Sequence, residues 1–422
     1  MSRPQAKGVI RTVGLGLITG AADADPSAIG TYASAGARFG PAFLWTAPAT
    51  LPMMFAVVYL SAKLGQVAGQ GLFAVLRKHS SKTILYPTLM AVLIGNTIEA
   101  GADLGGIAAA IHLVMPMPIP RELLVVIVSL VILILQIWGS YTLMRNIFRI
   151  LALALLAYVP AAILARPDWL PVLKGTFVPT FRFEKEFLAM IVAVIGTTLS
   201  AYLYTWQSNA EVEEEKEMGR ILLSQRKGAT EEELRHSRHD VLFGMAFSNL
   251  AMYFIMLATA STLFKAGKFD IATAADSSRA LHPLAGDAAG ILFSLGVIGV
   301  GFLAVPVMTG GAAYDLCQVM GWKYGLAKRP VQAKRFYLAI AGFTLLGAAL
   351  NFLGFNPMKA LVVAGVVQGF STPPLMLLIL LLTNNRAVMG ERVNGRPINI
   401  LGACTTAVIF AASLGLVISW IL

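Results

Sequence analysis

Charge is scarce in these 422 residues: Asp, Glu, Lys and Arg together make up 13% of the chain, against 57% hydrophobic residues. A soluble globular protein carries about 25% charged residues, so an ordinary water-facing surface is excluded. Cysteine is scarcer still. Cys317 and Cys404 both sit in or near apolar stretches; they say nothing of redox compartment and offer no metal-ligand spacing. Of the five histidines, His236 and His239 lie three apart beside acids, a weak metal signal on what reads as a mobile loop. The GGAA stretch at 310–313 has no following Lys-Ser/Thr and no preceding strand, so it is no phosphate cradle. No catalytic constellation emerges, and the chain is not expected to be an enzyme.

What is abundant is apolar sequence. Runs of roughly 20 residues, enough to cross a hydrocarbon core of about 30 Å, follow one another almost to the end. Inside lipid the backbone must satisfy its own hydrogen bonds, so each run is read as a helix. Eleven spans can be drawn, at 10–38, 41–62, 84–112, 121–140, 146–165, 187–212, 239–264, 285–320, 335–353, 358–383 and 398–421. The fold class is therefore an all-α polytopic membrane protein. The net charge of +11 reflects Lys and Arg gathered in cytoplasmic loops, not a nucleic-acid surface. By this segmentation about 23 basic residues fall inside and about 10 outside, which puts the N-terminus in the cytoplasm and the C-terminus outside. Residues 1–9 read as a basic cytoplasmic tail, since no small-residue cleavage site follows a compact apolar core.

Two spans depart from a smooth apolar pattern. The first reads GLGLITGAADADPSAIGTYASAGARFG, with Asp23, Asp25 and Pro26 at mid-membrane. Proline removes a backbone donor and disfavours helix at the residue before it, so unwinding is expected at Asp25. The sixth reads MIVAVIGTTLSAYLYTWQSNAEVEEE and is interrupted at Gly196, Thr197, Thr198 and Ser200. Interrupted helices at matching places in two halves point to an inverted-repeat transporter with its site at the midplane. The eighth span is long and expected to break at Gly, Pro and Thr around 305–311.

Asp25 is the foremost candidate residue. A carboxylate near the bilayer centre is expensive and marks an ion pathway or a paired charge. Asp23 faces elsewhere if the segment is extended, as a vestibule carboxylate or a solvated cap. Unwinding of the sixth span would free carbonyls around Thr197, and Ser200 adds a hydroxyl. Thr198 is a weaker candidate. One carboxylate, carbonyls, hydroxyls and retained waters make an all-oxygen environment suited to a hard dication. The rival reading of Thr197, Thr198 and Ser200 is ordinary helix–helix contact. Glu99 lies one turn before Asp103 on one helical face, as an acidic pathway or as a neutral or paired group. The acidic run at 211–217 could attract cations at the inner mouth, but a solvated helix end is the preferred reading.

These residues resemble the NRAMP family of divalent-metal transporters. DPSA at 25–28 stands where the family has DPGN. KLGQVAGQGLFAVLRKH at 63–79, FSLGVIGVGFLAVPVMTGGAAYDLCQ at 293–318 and LLTNNRAVMG at 381–390 match in kind and position. The resemblance implies a LeuT-type inverted repeat of five plus five helices with an eleventh appended, helices 1 and 6 being unwound at the midplane. The repeats would occupy 10–165 and 187–383, and the eleventh helix 398–421. It also exposes departures. The family's DPGN asparagine falls on Ala28, a lost ligand. Its sixth-span methionine falls on Ser200 and its proton-linked histidine on Tyr202. The second acid of its third-span pair falls on Gly106, leaving Asp103, and a tenth-span glutamine falls on Gly365, with Gln368 one turn away. Such losses resemble the NRAMP-related magnesium transporter branch, implying passive transport of a largely hydrated ion. Asp25, the Thr197 carbonyl and Ser200 would then line the site, with Asp23, Glu99, Asp103 and Tyr202 along the pathway; Asn249 is set aside. The expected cargo is Mg2+, with Mn2+ as a second candidate ion, membrane lipid as surroundings, no bound cofactor, no nucleic acid and no obligate protein partner. A proton-coupled manganese or iron importer and an organic-solute carrier of the same fold remain as alternatives. The expected location is the plasma (inner) membrane.

Overall fold

The computed structural model describes residues 14–115, 118–139, 141–269, 287–353 and 372–421. Among them the regular secondary structure is entirely helical. The chain runs through α1 (Leu15–Asp23), α2 (Pro26–Phe39), α3 (Thr46–Ala68), α4 (Leu72–His79), α5 (Lys82–Val114), α6 (Arg121–Trp138), α7 (Tyr141–Ala152) and α8 (Tyr158–Leu164). It continues through α9 (Trp169–Phe177), α10 (Lys185–Thr198), α11 (Ala201–Glu217), α12 (Leu223–Arg226), α13 (Glu231–Thr259), α14 (Asp287–Met320) and α15 (Lys334–Leu350). Then come α16 (Thr372–Asn384), α17 (Arg386–Met389) and α18 (Arg396–Ile421).

Among the described residues, eight stretches are long and apolar enough to cross a membrane. Their outer faces carry large exposed apolar side chains, such as Ile127, Leu130 and Ile134 on α6 and Ile400, Leu414 and Ile418 on α18. Water would not tolerate so broad an apolar belt; lipid requires one. The protein is an integral membrane protein.

Both expected breaks are present. The first span divides into α1 and α2 at Ala24–Asp25, and the sixth into α10 and α11 at Leu199–Ser200. At the first, Asp25 is extended (φ −59°, ψ 167°) and caps α2, whose first residue is Pro26. Proline suits that position because its missing N–H would have no helical partner anyway.

The eighth span does not break. α14 runs through Pro306 without interruption. The amide of Gln136 on α6 donates to the Pro306 carbonyl at 3.2 Å, and Thr309 donates to the Val305 carbonyl at 2.9 Å. The bond that proline cannot make is the one to the Phe302 carbonyl one turn earlier, so these contacts brace the helix beside Pro306 and do not replace that bond. A second correction concerns His236 and His239, which lie in the first turns of α13 and not on a loop. Thr230 and Glu233 form a reciprocal capping box that starts this helix early. His236 stands 3.8 Å from Glu232 at the surface.

α1 lies against α13 with almost no side chain between them. A Cβ on Gly20 would come within 2.1 Å of the Gly244 carbonyl oxygen, and one on Gly244 within 1.9 Å of that of Gly16. Small residues let the two backbones approach this closely. The start of α1 is held by Asp240, whose carboxylate accepts from the Gly14 and Gly16 amides at 2.8 and 2.7 Å.

Candidate functional site

The site is assembled at the first break. Asp25 is 1% exposed. Its Oδ1 accepts from the Ala28 amide at 2.6 Å and the Ser27 hydroxyl at 2.7 Å. Its Oδ2 faces the Tyr202 phenol at 3.1 Å, and the same phenol donates to the Ala22 carbonyl at 2.7 Å. Tyr202, in the first turn of α11, therefore touches both lips of the break in the first span.

Ser27 draws in the acids of α5. Its amide donates to Asp103 Oδ1 at 3.1 Å, and its hydroxyl lies 3.4 Å from Glu99 Oε1. Glu99 and Asp103 are both buried. Helical spacing put these two acids on one face, and they meet the break on that face. Ser27, the residue that joins three carboxylates, was not among the expected site residues; a serine two places after an aspartate and one after a proline reads as no more than a helix start. Among the described residues no three His, Cys, Asp or Glu side chains are placed to hold one metal ion together. The acids communicate through Ser27 instead of forming a cage.

At the second break the Ser200 hydroxyl donates to the Thr197 carbonyl at 3.0 Å. Ser200 is buried and extended (φ −63°, ψ 140°) ahead of α11. Thr198 has a tying role: its hydroxyl donates to the Val194 carbonyl at 2.6 Å and pairs with the Tyr32 phenol of α2 at 2.9 Å. α1 and α11 are linked likewise, Thr19 of α1 donating to the Gln207 amide oxygen at 2.5 Å. Asp23 turns away from Asp25 and accepts from Ser248 of α13 at 2.8 Å. Asn249 lies off the site, its amide donating to the Thr50 hydroxyl at 3.1 Å. Gly365 and Gln368 fall outside the described residues.

The acidic run at 211–217 is not a solvated helix end. Glu211, Glu213, Glu214 and Glu215 are all buried. Glu211 accepts from Gln66 of α3 at 2.7 Å, Gln207 at 2.9 Å and Ser237 of α13 at 3.2 Å. The reason is packing: a Cβ on Gly65 of α3 would lie 2.6 Å from the Ser208 carbonyl oxygen, so α11 is pressed into the bundle along its inner half.

A family model described as natural resistance-associated macrophage protein-like (Nramp) matches residues 16–419. The chain belongs to the Nramp family. Among curated relatives, the divalent metal cation transporter MntH of Chromohalobacter salexigens is 28% identical over 405 residues, covering 94% of this chain and 89% of that protein. MntH of Bacillus subtilis is 25% identical over 424 residues, 98% and 93% of the two chains. The crystal structure of the Eremococcus coleocola manganese transporter superposes with a TM-score of 0.75 at 19% identity, over 97% of this chain and 87% of that one. Mhp1, a nucleobase-cation-symport-1 family transporter, superposes with a TM-score of 0.62 at 13% identity, over 97% and 92%. The fold is thus the LeuT-type arrangement.

Membership gives the departures at the site a physical setting. At 28, where the resemblance implies an asparagine, this chain offers a methyl group, and Ala28 reaches Asp25 through its amide. At 106, where the resemblance implies a second acid, Gly106 leaves room for Pro26, whose Cβ would lie 3.1 Å from a Cβ there. Gly301 of α14 makes the other side of the same slot, 3.1 Å from the Pro26 ring by the same measure. The proline that starts α2 is therefore seated between α5 and α14.

Proposed function

We propose that this Nramp protein carries a divalent metal cation across the membrane by alternating access, with magnesium as its preferred ion and without coupling to protons. The observation that carries the reading is Asp25, a buried carboxylate in an unwound segment that meets the Ala28 amide and the Ser27 and Tyr202 hydroxyls. Oxygen groups suit hard cations, and magnesium gives up its waters reluctantly, so few protein ligands are needed. The groups that would favour a softer ion or a proton relay stand replaced: Ser200 has no thioether, and Tyr202 has no imidazole.

In this reading residues 10–165 and 187–383 are the two repeats and 398–421 the appended helix, with the N-terminus on the cytoplasmic side of the plasma membrane. The ion meets Asp25, the Thr197 carbonyl and Ser200 while the repeats rock about the two breaks. The names of the curated relatives support a divalent cation as cargo.

The test is uptake by purified protein in liposomes, with magnesium, manganese and calcium side by side. Asp25→Ala is expected to abolish magnesium uptake; wild-type rates in that variant would overturn the assignment. A second reading is a proton-coupled manganese importer, favoured by the meeting of Glu99 and Asp103 at Ser27. Acidification of the vesicle lumen during uptake, read with a pH dye, would select it. An organic anion as cargo fits poorly, because Asp25 would repel its carboxylate.

A further inference from the structure

Neither reading gives the Ser27 hydroxyl a part in holding the ion. It is 5% exposed and stands one residue before Ala28, whose methyl cannot bind an ion. Its hydroxyl oxygen lies 2.7 Å from Asp25 Oδ1 and 3.4 Å from Glu99 Oε1. A serine hydroxyl has one proton and two lone pairs. The shorter of the two contacts is the one to Asp25, and the Glu99 carboxylate lies on the other side.

A dication bound to Asp25 reverses the sense of that contact. A hydroxyl proton aimed at the carboxylate would then face the positive ion and be repelled, whereas the oxygen lone pairs would be attracted. Rotation about one side-chain bond exchanges the two, provided another acceptor receives the hydrogen bond. Glu99 is that acceptor. The backbone needs no movement, because the Ser27 amide is fixed on Asp103 Oδ1 at 3.1 Å.

Resting on the cation-carrier reading above, we infer that the Ser27 hydroxyl oxygen is itself a ligand of the transported dication, its O–H kept and donated as a hydrogen bond to Glu99. It supplies the neutral oxygen that position 28 lacks. The ligand is hard, in keeping with an ion such as magnesium.

The experiment exchanges the hydroxyl for a thiol. Ser27→Cys is reconstituted in liposomes, and uptake of Cd2+ and of Mg2+ is measured in the same preparation. Sulfur prefers the softer ion, so the Cd2+/Mg2+ uptake ratio is expected to rise about tenfold, a factor set by about 1.4 kcal/mol of differential binding. Ser34→Cys is the control, because the Ser34 hydroxyl is committed to the Gly30 carbonyl of its own helix at 2.8 Å; its ratio should stay at the wild-type value. An unchanged ratio in Ser27→Cys overturns the inference. Should the thiol variant fail to fold, Ser27→Ala takes its place: a raised KM for Mg2+ with maximal rate kept supports ligation, and an unchanged KM overturns it. Asp25→Ala in the same vesicles separates the two claims. Survival of uptake there defeats the site itself, while loss of uptake there with an unmoved ratio in Ser27→Cys defeats only the role of Ser27.

Discussion

The Tyr202 phenol donates to the Ala22 carbonyl at 2.7 Å and stands 3.1 Å from Asp25 Oδ2. Ala22 belongs to the last turn of α1, and Asp25 caps α2, so one side chain of α11 spans the gap that proline opens in the first span. A phenol has a single proton for these two acceptors. Tyr202→Phe removes that proton and leaves a buried carbonyl and a buried carboxylate short of a donor. The loss of that one shared donor costs about 1–3 kcal/mol. Thermal unfolding in detergent should therefore shift down by several degrees, and divalent-cation uptake should fall without vanishing. Uptake abolished as completely as in Asp25→Ala would show that Tyr202 does more than hold the break.

The two breaks were legible because their causes are local: Pro26 lacks a donor, and Gly196 with its hydroxyl neighbours weakens the helix near Ser200. The family was legible from ordered motifs, and the pairing of Glu99 with Asp103 from helical spacing. What could not be read locally was decided by distant partners. Pro306 was expected to break α14, but Gln136, some 170 residues away in sequence, meets its carbonyl. Glu211 looked like a residue for water, but Gln66 and Ser237 reach it only once α3 and α13 have docked. Ser27 was overlooked because the three carboxylates around it come from two separate helices.

In the proposed site, Ser200 sets how soft the donor groups are. Its hydroxyl donates to the Thr197 carbonyl at 3.0 Å, so the second break presents oxygen alone. Ser200→Met would put a polarisable thioether there, and thioethers favour transition metals over magnesium. Competition uptake should move toward manganese by about tenfold, the equivalent of about 1.4 kcal/mol. Equal selectivity in the two proteins would mean that Ser200 does not touch the ion.

Glu211 is a hub of the inner half. Three neutral donors, from Gln66, Gln207 and Ser237, converge on its carboxylate, and Gln207 also accepts from Thr19. Glu211→Leu strands all three donors in a buried place, at about 1–3 kcal/mol each. Glu211→Gln keeps one acceptor oxygen but turns an amide toward other donors, so it should be intermediate. Loss of monodisperse protein on size-exclusion chromatography is expected to be severe for leucine and partial for glutamine. Glutamine and leucine behaving alike would show that side-chain volume, not acceptor capacity, is what the position requires.

The contact of α1 with α13 makes a steric prediction of a different kind. At Gly244 a single added methyl would lie 1.9 Å from the Gly16 carbonyl oxygen, and at Gly20 it would lie 2.1 Å from the Gly244 carbonyl oxygen. In both places the obstacle is backbone, which cannot rotate aside as a side chain can. Gly244→Ala must therefore push α1 off α13, stretching the bonds from Gly14 and Gly16 to Asp240. Overpacking costs about 1–3 kcal/mol, and here it falls on the inner half of the first span. At Gly196, by contrast, an added methyl would meet nothing within 4 Å, so Gly196→Ala should unfold at or slightly above the wild-type temperature and Gly244→Ala several degrees below it. If the two alanine variants unfold together, the close approach of α1 and α13 is not a feature of the protein in its membrane.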